Sequence, residues 1–403
     1  MKILFNCQST TGHKAGVGHY SQQLLMNLRT LPECEVTGFP SEQWLAWEHR
    51  LHRWYRLLQS SITLNRNERS SACPSIHLGD TSGWFSTKLR HLRSRWLEWM
   101  HAQCSLSNEY HLYHEPNHVP YPSSLKTVTS ILDLSVLLHP EWHPADRIRW
   151  FEQNLQRTLN QSAHFITISD FSKQQIVDIL GVPPTKITRV YIGIRPECRP
   201  VPRAAISSVL VQMKLPPDYL LYVGTIEPRK NVLRLMQAYS MLPSEVRDAC
   251  PLVLVGRWGW HAEREHDYYT TVGKHHGVIQ VGYVSDENLP ALYSGARALV
   301  YPSYFEGFGL PVVEMLACGG AVLTSTAEAI LEVAGGRAHC VEAEDTEGWR
   351  DAMQRVMLDT DWQQTLRGDA DLIARQYSWQ RCAEETVQVY RQVLRSPAAM
   401  NSP

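Results

Sequence analysis

Apolar residues gather in short continuous runs, and between these runs they recur at steps of three and four. The runs at 2–7, 128–132 and 164–169 read as strands, and 20–31 carries a helical pattern. A further helix is capped by Ser169 or Asp170 and stops at Gly181-Val182-Pro183-Pro184. The pattern then loosens: Pro196, Pro200, Pro202, Pro216 and Pro217 fall within 193–217, a linker composition. Beyond it the alternation restarts with greater regularity, with strands at 219–224, 252–256, 278–282, 298–302 and 321–325. Continuous apolar strands set between helices form parallel sheets covered on both faces. The expected fold class is therefore α/β, with two doubly wound domains facing each other across a cleft. Their expected limits are 1–195 and 218–376, joined by a linker at 196–217. Residues 377–403 are expected to form a C-terminal helix that packs back on the first domain, then a tail.

Composition narrows the function without naming it. The 403 residues carry 39 Lys plus Arg against 40 Asp plus Glu, so no basic field recommends a nucleic-acid partner. A hydrophobic share of 43% supports a sizeable core and argues against disorder. The apolar runs fall far short of the roughly 18 residues of a membrane span. The opening Met1-Lys2-Ile3-Leu4-Phe5 meets Asn6 at once, as a first strand does and a secretory signal does not. Nine cysteines without a Cys-x-x-Cys pair point to a reduced, cytoplasmic protein. One stretch breaks the alternation: residues 44–103 hold six of the 13 tryptophans and nine Lys or Arg against four Asp or Glu.

Ligands of doubly wound sheets bind outside the carboxyl ends of the strands, so the strand-to-helix loops are where chemistry is expected. Directly after 219–224 comes Glu227-Pro228-Arg229-Lys230-Asn231. Pro228 suits the first position of a helix and would place Arg229 and Lys230 in its first turn. That end of the macrodipole is unfavourable for cations unless an anion such as a diphosphate sits between them and the backbone N–H groups. A second loop, Tyr304-Phe305-Glu306-Gly307-Phe308-Gly309-Leu310-Pro311, follows 298–302 and leads into a helix near Leu310 or Pro311 that carries Glu314. Backbone N–H groups of Phe308, Gly309 and Leu310 would face an anion there. Glu306 and Glu314 would each accept hydrogen bonds from a vicinal diol of a ribose or hexose. A nucleotide-sugar satisfies the whole arrangement. Gly16-Val17-Gly18 after the first strand resembles part of a dinucleotide fingerprint, but Ser21 stands where its third glycine belongs. His114, His118, His139 and His143 show no zinc spacing, so no obligatory metal or other cofactor is expected.

These segments together resemble the retaining glycosyltransferases of family 4, which have the two-domain, Rossmann-like GT-B fold. The resemblance rests on Gly16-Val17-Gly18-His19-Tyr20, Asp133-Leu134-Ser135 with His139-Pro140-Glu141, and Ile168-Ser169-Asp170-Phe171-Ser172. It continues through Tyr222-Val223-Gly224-Thr225-Ile226-Glu227-Pro228-Arg229-Lys230-Asn231, Gly282-Tyr283-Val284-Ser285-Asp286, the 306–314 segment and Ala317-Cys318-Gly319. It implies that Arg229 and Lys230 hold the donor diphosphate, Glu314 the ribose and Glu306 the transferred sugar. It also implies that Val284 packs at the base, that Gly16 and Gly18 approach the phosphate, and that Asp133 belongs to the catalytic set. The nearest cast is that of bacterial enzymes adding mannose or rhamnose from GDP-sugars to lipid-linked O-antigen chains, with a UDP-sugar donor or a silent scaffold as alternatives. The family histidine before the Asp133 position is Leu132 here, with His13 or His118 as spatial substitutes.

Rival classes fit less. A glycoside hydrolase using Glu306 and Glu314 leaves Arg229 and Lys230 unexplained. A nicotinamide enzyme lacks a complete fingerprint and its acidic partner. A last expectation concerns 44–103. Leu89, Leu92, Trp96 and Trp99 or Met100 recur as one helical stripe among Lys88, Arg90, Arg93 and Arg95, and 44–58 repeats the composition. Such a face suits either packing on the first sheet or peripheral contact with anionic lipid on the inner face of the cytoplasmic membrane.

Overall fold

The structure, a computed structural model, describes residues 1–10, 16–41, 44–45, 81–107 and 109–396, and of 81–92 the backbone alone. Among the described residues two six-stranded sheets are present, ordered β2-β1-β3-β4-β5-β6 and β12-β11-β10-β7-β8-β9. The first holds β1 (Lys2–Asn6), β2 (Glu35–Phe39), β3 (Leu112–Glu115), β4 (Lys126–Ser130), β5 (Ser162–Thr167) and β6 (Ile187–Arg189). The second holds β7 (Leu220–Val223), β8 (Leu252–Val255), β9 (Val278–Gly282), β10 (Ala298–Tyr301), β11 (Val322–Ser325) and β12 (His339–Val341).

The strands expected from apolar runs all form, trimmed or shifted by a residue or two at their ends. β2, β3, β6 and β12 were not expected, for identifiable reasons. β6 and β12 have three residues each, and β2 alternates in burial like a half-covered strand. β3 is fully buried although it contains His114 and Glu115. The expected linker also contains structure: the helix Arg203–Met213 forms between its prolines, with Pro202 at the N-cap. It packs on the helix Leu289–Gly295 so closely that a Cβ on Gly295 would lie 2.7 Å from Ile206 Cγ2. The glycine is needed for that approach.

By compactness the chain divides into two units whose limits differ from those set by the linker. One comprises Met1–Ile131, Leu155–Phe165 and Thr386–Pro403, the other Leu132–Asn154 and Ile166–Glu385. In the first unit, β1 pairs in parallel with β2 and β3, and β3 with β4. Leu4, Phe39, Leu97, Tyr113 and Tyr121 form a core beneath. His114 is a satisfied core residue, bonded to the Tyr390 hydroxyl at 2.5 Å and to Ser130 Oγ at 2.9 Å. Burial drives its pKa down to about 3. Glu115 accepts from Asn6 Nδ2, Tyr113 Oη and the Asn117 backbone, yet burial still raises its pKa to about 7.

In the helix Thr81–Leu106 the packing alternative fails for the tryptophans of the expected stripe. Leu97 and His101 form its buried face with Met100 and Cys104 alongside, whereas Trp96 and Trp99 are 44% and 58% exposed. The packing face is thus rotated by about one residue, some 100°, from the tryptophans. The side chains of Leu89, Leu92, Lys88 and Arg90 lie outside the described residues, as does 46–58 of the upstream run.

Candidate active site

In the second unit all strand pairs are parallel, and β7 lies between β8 and β10. The chain leaves β7 toward β8 and β9, then returns to β10 and continues outward to β12. The strand order therefore reverses between β7 and β10, the switch point at which a doubly wound sheet opens a crevice. The loop after β7 carries Glu227, Arg229 and Lys230, and the loop after β10 carries Glu306.

These four side chains form one buried ionic cluster. Arg229 donates to Glu227 Oε1 from Nη2 at 3.0 Å and to Glu306 Oε2 from Nη1 at 3.2 Å. Lys230 Nζ donates to Glu306 Oε1 at 2.5 Å and to the Tyr301 hydroxyl at 2.9 Å, while Tyr301 donates to the same Glu306 oxygen at 2.8 Å. Glu306 is 6% exposed, so it is not the solvated loop carboxylate its position suggests. Burial pushes its pKa up, but the charges of Lys230 and Arg229 together outweigh burial and hold it below the usual range. For Lys230 burial prevails and lowers the pKa. For Arg229 burial is outweighed by Glu306, Asp133 and Glu227, and the guanidinium is held firmly charged.

The local backbone differs from the expected helix start. Pro228–Lys230 is a separate 3-10 turn, closed by Asn231 at φ +58°, and the α-helix begins only at Val232. Asn231 Nδ2 donates to the carbonyls of Pro302 and Ala343, which anchors this left-handed residue. Arg229 and Lys230 are therefore aimed by a turn and not by a helix end. The second loop behaves as expected: the helix is Leu310–Ala317, Gly309 caps it at φ +92°, and Phe308 is buried. Gly307 is fixed by close approach, because a Cβ there would lie 2.5 Å from the Leu132 carbonyl oxygen and 3.0 Å from Asp133 Cβ. The Glu306 loop thus rests on the Asp133 segment.

Glu314 is the fifth residue of its helix and not in the first turn. It is fully buried, bonded to Arg195 and, at 2.9 Å, to the Tyr293 hydroxyl. Burial raises its pKa against the pull of Arg195. Arg195 also donates to Asp286 Oδ1 at 3.0 Å, which ties the loop holding buried Val284 to Glu314. Sequence reasoning missed Arg195, Tyr293 and Tyr301; Arg195 lies just before the prolines, and a strand-end tyrosine gives no signal of its own.

Asp133 Oδ1 accepts from Ser135 N at 2.9 Å and Ser135 Oγ at 2.7 Å. The Ser135 hydroxyl meets His143 Nε2 at 3.1 Å. His13 lies outside the described residues, and His118 belongs to the other unit. Within this unit His143, which neither expectation named, reaches Asp133 through the Ser135 hydroxyl. Gly16 and Gly18 also belong to the other unit, at the start of the helix Gly16–Leu28. A Cβ on Gly18 would lie 2.8 Å from the Ser9 carbonyl oxygen, so packing of its own loop already requires that glycine. Among the described residues no group of three or more His, Cys, Asp or Glu is arranged to hold a metal ion.

A family model described as glycosyl transferases group 1 matches residues 211–371, which contain the whole cluster after β7 and β10. O-antigen chain mannosyltransferase B of Escherichia coli is 35% identical over 285 residues, covering 70% of this chain and 74% of that protein. The chain belongs to the group 1 glycosyl transferases. A second relative, the serotype-specific mannosyltransferase WbdA of Escherichia coli, is 27% identical over 299 residues, which are 72% of this chain but 36% of that longer protein. The solved structure of Anabaena Alr3699/HepE in complex with UDP-glucose superposes with a TM-score of 0.70 at 17% identity, covering 97% of this chain and 100% of that one. At that identity the likeness is one of fold, and the two six-stranded parallel sheets of this group 1 glycosyl transferase match the two-domain GT-B fold.

Proposed function

We propose that this group 1 glycosyl transferase moves a hexose, with mannose favoured over rhamnose, from a GDP-sugar to a growing lipid-linked saccharide of an O-antigen. The anomeric configuration is retained and no metal is required. The observation that carries this reading is the buried cluster Arg229, Lys230 and Glu306 at the switch point, in a chain similar to O-antigen mannosyltransferases. Arg229 and Lys230 would stabilise the negative charge that grows on the departing diphosphate, joined by the N–H groups at the start of the helix Leu310–Ala317. Glu306 has both oxygens engaged by cations, which makes it a poor nucleophile and suits it to hold a sugar hydroxyl. A front-face route, in which the leaving phosphate accepts the acceptor proton, then needs no covalent enzyme intermediate. Glu314, locked to Arg195 and Tyr293, would offer the ribose a rigid carboxylate, with Val284 near the base.

The acceptor places the enzyme at a membrane surface. No described helix is long and apolar enough to cross a membrane. The exposed Trp96 and Trp99, three residues apart with exposed Arg95 immediately before Trp96, would sit at the headgroup level of anionic lipid. Binding of this kind weakens as the Debye length falls from about 10 Å at 0.1 M salt to about 3 Å at 1 M. Incubation with GDP-mannose, GDP-rhamnose and UDP-glucose, with and without a lipid-linked acceptor and with EDTA, tests the enzymatic reading. Acceptor-dependent release of GDP, with an α-linked product insensitive to EDTA, is expected. Activity only with UDP-glucose, or loss in EDTA restored by Mn²⁺, would refute the donor or the metal-free route. Co-sedimentation with anionic and neutral vesicles at both salts tests the surface, and equal negligible binding to both would remove it.

A further inference from the structure

His143 is 6% exposed, and its two ring nitrogens are treated unequally. Nε2 meets Ser135 Oγ at 3.1 Å, whereas Nδ1 is buried with no protein partner. The direction of the bond follows from the donors available. Ser135 has one hydroxyl hydrogen, and Asp133 Oδ1 takes it at 2.7 Å, since an ionised carboxylate only accepts. His143 must then donate to Ser135 through Nε2–H. Its protonation state agrees with this: burial first, then the charges of Arg147 and Arg229 against that of Asp133, lower its pKa to about 4. The ring is neutral at pH 7, with its proton on Nε2 and a bare lone pair on Nδ1.

The chain His143, Ser135, Asp133 ends at the ionic cluster. Asp133 Cβ lies 3.0 Å from where a side chain on Gly307 would begin, and the Asp133 carboxylate is among the charges that hold Arg229 protonated. A ring kept for packing alone would be better served by Phe or Leu, because an unpaired buried nitrogen is destabilising. The loop that carries His143 is itself anchored: Trp260 Nε1 donates to the Trp142 carbonyl at 2.6 Å, and His139 stacks on Trp142 at 3.9 Å. We propose that His143 is a positioning residue that acts through Ser135 to hold the Asp133 carboxylate in one orientation toward a saccharide hydroxyl. This inference rests on the glycosyl-transfer reading.

The test is steady-state kinetics of Ser135→Ala, His143→Asn and His143→Gln with the donor and acceptor that serve the wild type. A Gln amide nitrogen reaches roughly where Nε2 lies and can still donate to Ser135, whereas Asn stops at the Nδ1 position. Ser135→Ala and His143→Asn are expected to lose about tenfold or more in kcat/KM, and His143→Gln to recover most of it. The KM that rises with the loss, donor or acceptor, tells which saccharide hydroxyl Asp133 meets. A merely structural role would instead lower the melting temperature of Asn and Gln variants alike with no such split. Equal losses in the two His143 variants, or wild-type turnover in Ser135→Ala, would overturn the relay while leaving glycosyl transfer intact. If His143→Asn fails to fold, His143→Leu, which keeps an apolar side chain and removes the donor, takes its place: a loss beside recovery in His143→Gln supports the relay, and equal activity overturns it. A wild type inert with every nucleotide-sugar would overturn both readings and is seen first.

Discussion

Changing Glu306 to Gln removes one negative charge from a buried set in which two cations, Arg229 and Lys230, face Glu227 and Glu306. Arg229 keeps Glu227, so the loss falls mainly on Lys230, whose remaining neighbours at Nζ are the neutral Tyr301 hydroxyl and the new amide oxygen. Breaking a buried ion pair by removing one partner typically costs about 3–5 kcal/mol, because the other charge is left uncompensated. There is a natural ceiling: Lys230 can shed its proton, which from an ordinary lysine pKa costs about 5 kcal/mol at pH 7. Glu306→Gln should therefore lose about 3–5 kcal/mol of unfolding free energy in urea, besides losing turnover. The sign of its pH dependence is a second mark. With Lys230 depressed further in the folded variant, the unfolded state binds the extra proton, so the variant regains stability as pH rises from 7 toward 9. Adding Lys230→Met should restore much of the loss, giving a coupling of about 2 kcal/mol or more. A loss below about 1 kcal/mol, the value of an exposed pair, would refute the buried-cluster account.

Lys230→Ala should abolish most binding of a nucleoside diphosphate by calorimetry, and Arg229→Ala should follow it; unchanged affinity in both would sink the diphosphate assignment. In Gly307→Ala the new Cβ would lie 2.5 Å from the Leu132 carbonyl oxygen, so the Glu306 loop must shift. A displacement near 1 Å lowers kcat about a hundredfold, and an unaltered kcat would show the loop yields without consequence. Acid should destabilise the fold, because His114, His101 and His143 have folded pKa values of about 3, 4 and 4 against 6.5. Their stability is present above pH 6.5 and lost as pH falls toward 4, opposed by Glu115, whose pKa of about 7 favours the folded state at low pH. The net uptake on unfolding near pH 5.5 is about two protons, or about 2.5 kcal/mol per pH unit, and a flat profile between pH 6.5 and 4.5 would contradict it.

What the sequence made legible was whatever leaves an apolar run or a turn residue behind. β7 and β8 are continuous apolar strands, and Ser169 and Gly181 cap a helix as their types require, Gly181 at φ +65°. β3 escaped because tertiary bonds from Tyr390, Ser130 and Asn6 satisfy its polar residues, and no local pattern announces partners such as Tyr390 and Asn6, 276 and 109 residues away. The helix Arg203–Met213 escaped because its flanking prolines dominate the composition of the segment. For the tryptophans of Thr81–Leu106 the sequence left packing and outward contact open, and the structure removes packing. A stripe at steps of three and four fixes a helix face but not whether that face or its neighbour meets the sheet, and Leu97 and His101 took the sheet side.

The site shows the same division between kind and state. Residue types after β7 and β10 suggested an anion-binding chemistry, which is the proposal made above, but not that the cations are already paired. Arg229 and Lys230 lie against Glu227 and Glu306, so these four charges are balanced within the protein itself. On the proposed donor assignment a diphosphate would compete with carboxylates for the same cations, and the part of its charge that is balanced in the ground state would be correspondingly reduced. Under the proposed function such a cluster would discriminate by charge development: as the bond to the sugar breaks, the added negative charge on the leaving group would draw Lys230 and Arg229 from Glu306, freeing that carboxylate toward the sugar just when positive charge develops there. On this argument the Glu306 pairing is part of the chemistry and not only of the fold. Glu306→Asp keeps the charge but shortens the reach; it should preserve stability far better than Glu306→Gln while still lowering kcat about tenfold or more. Full kcat in Glu306→Asp would reduce the pair to a structural clamp.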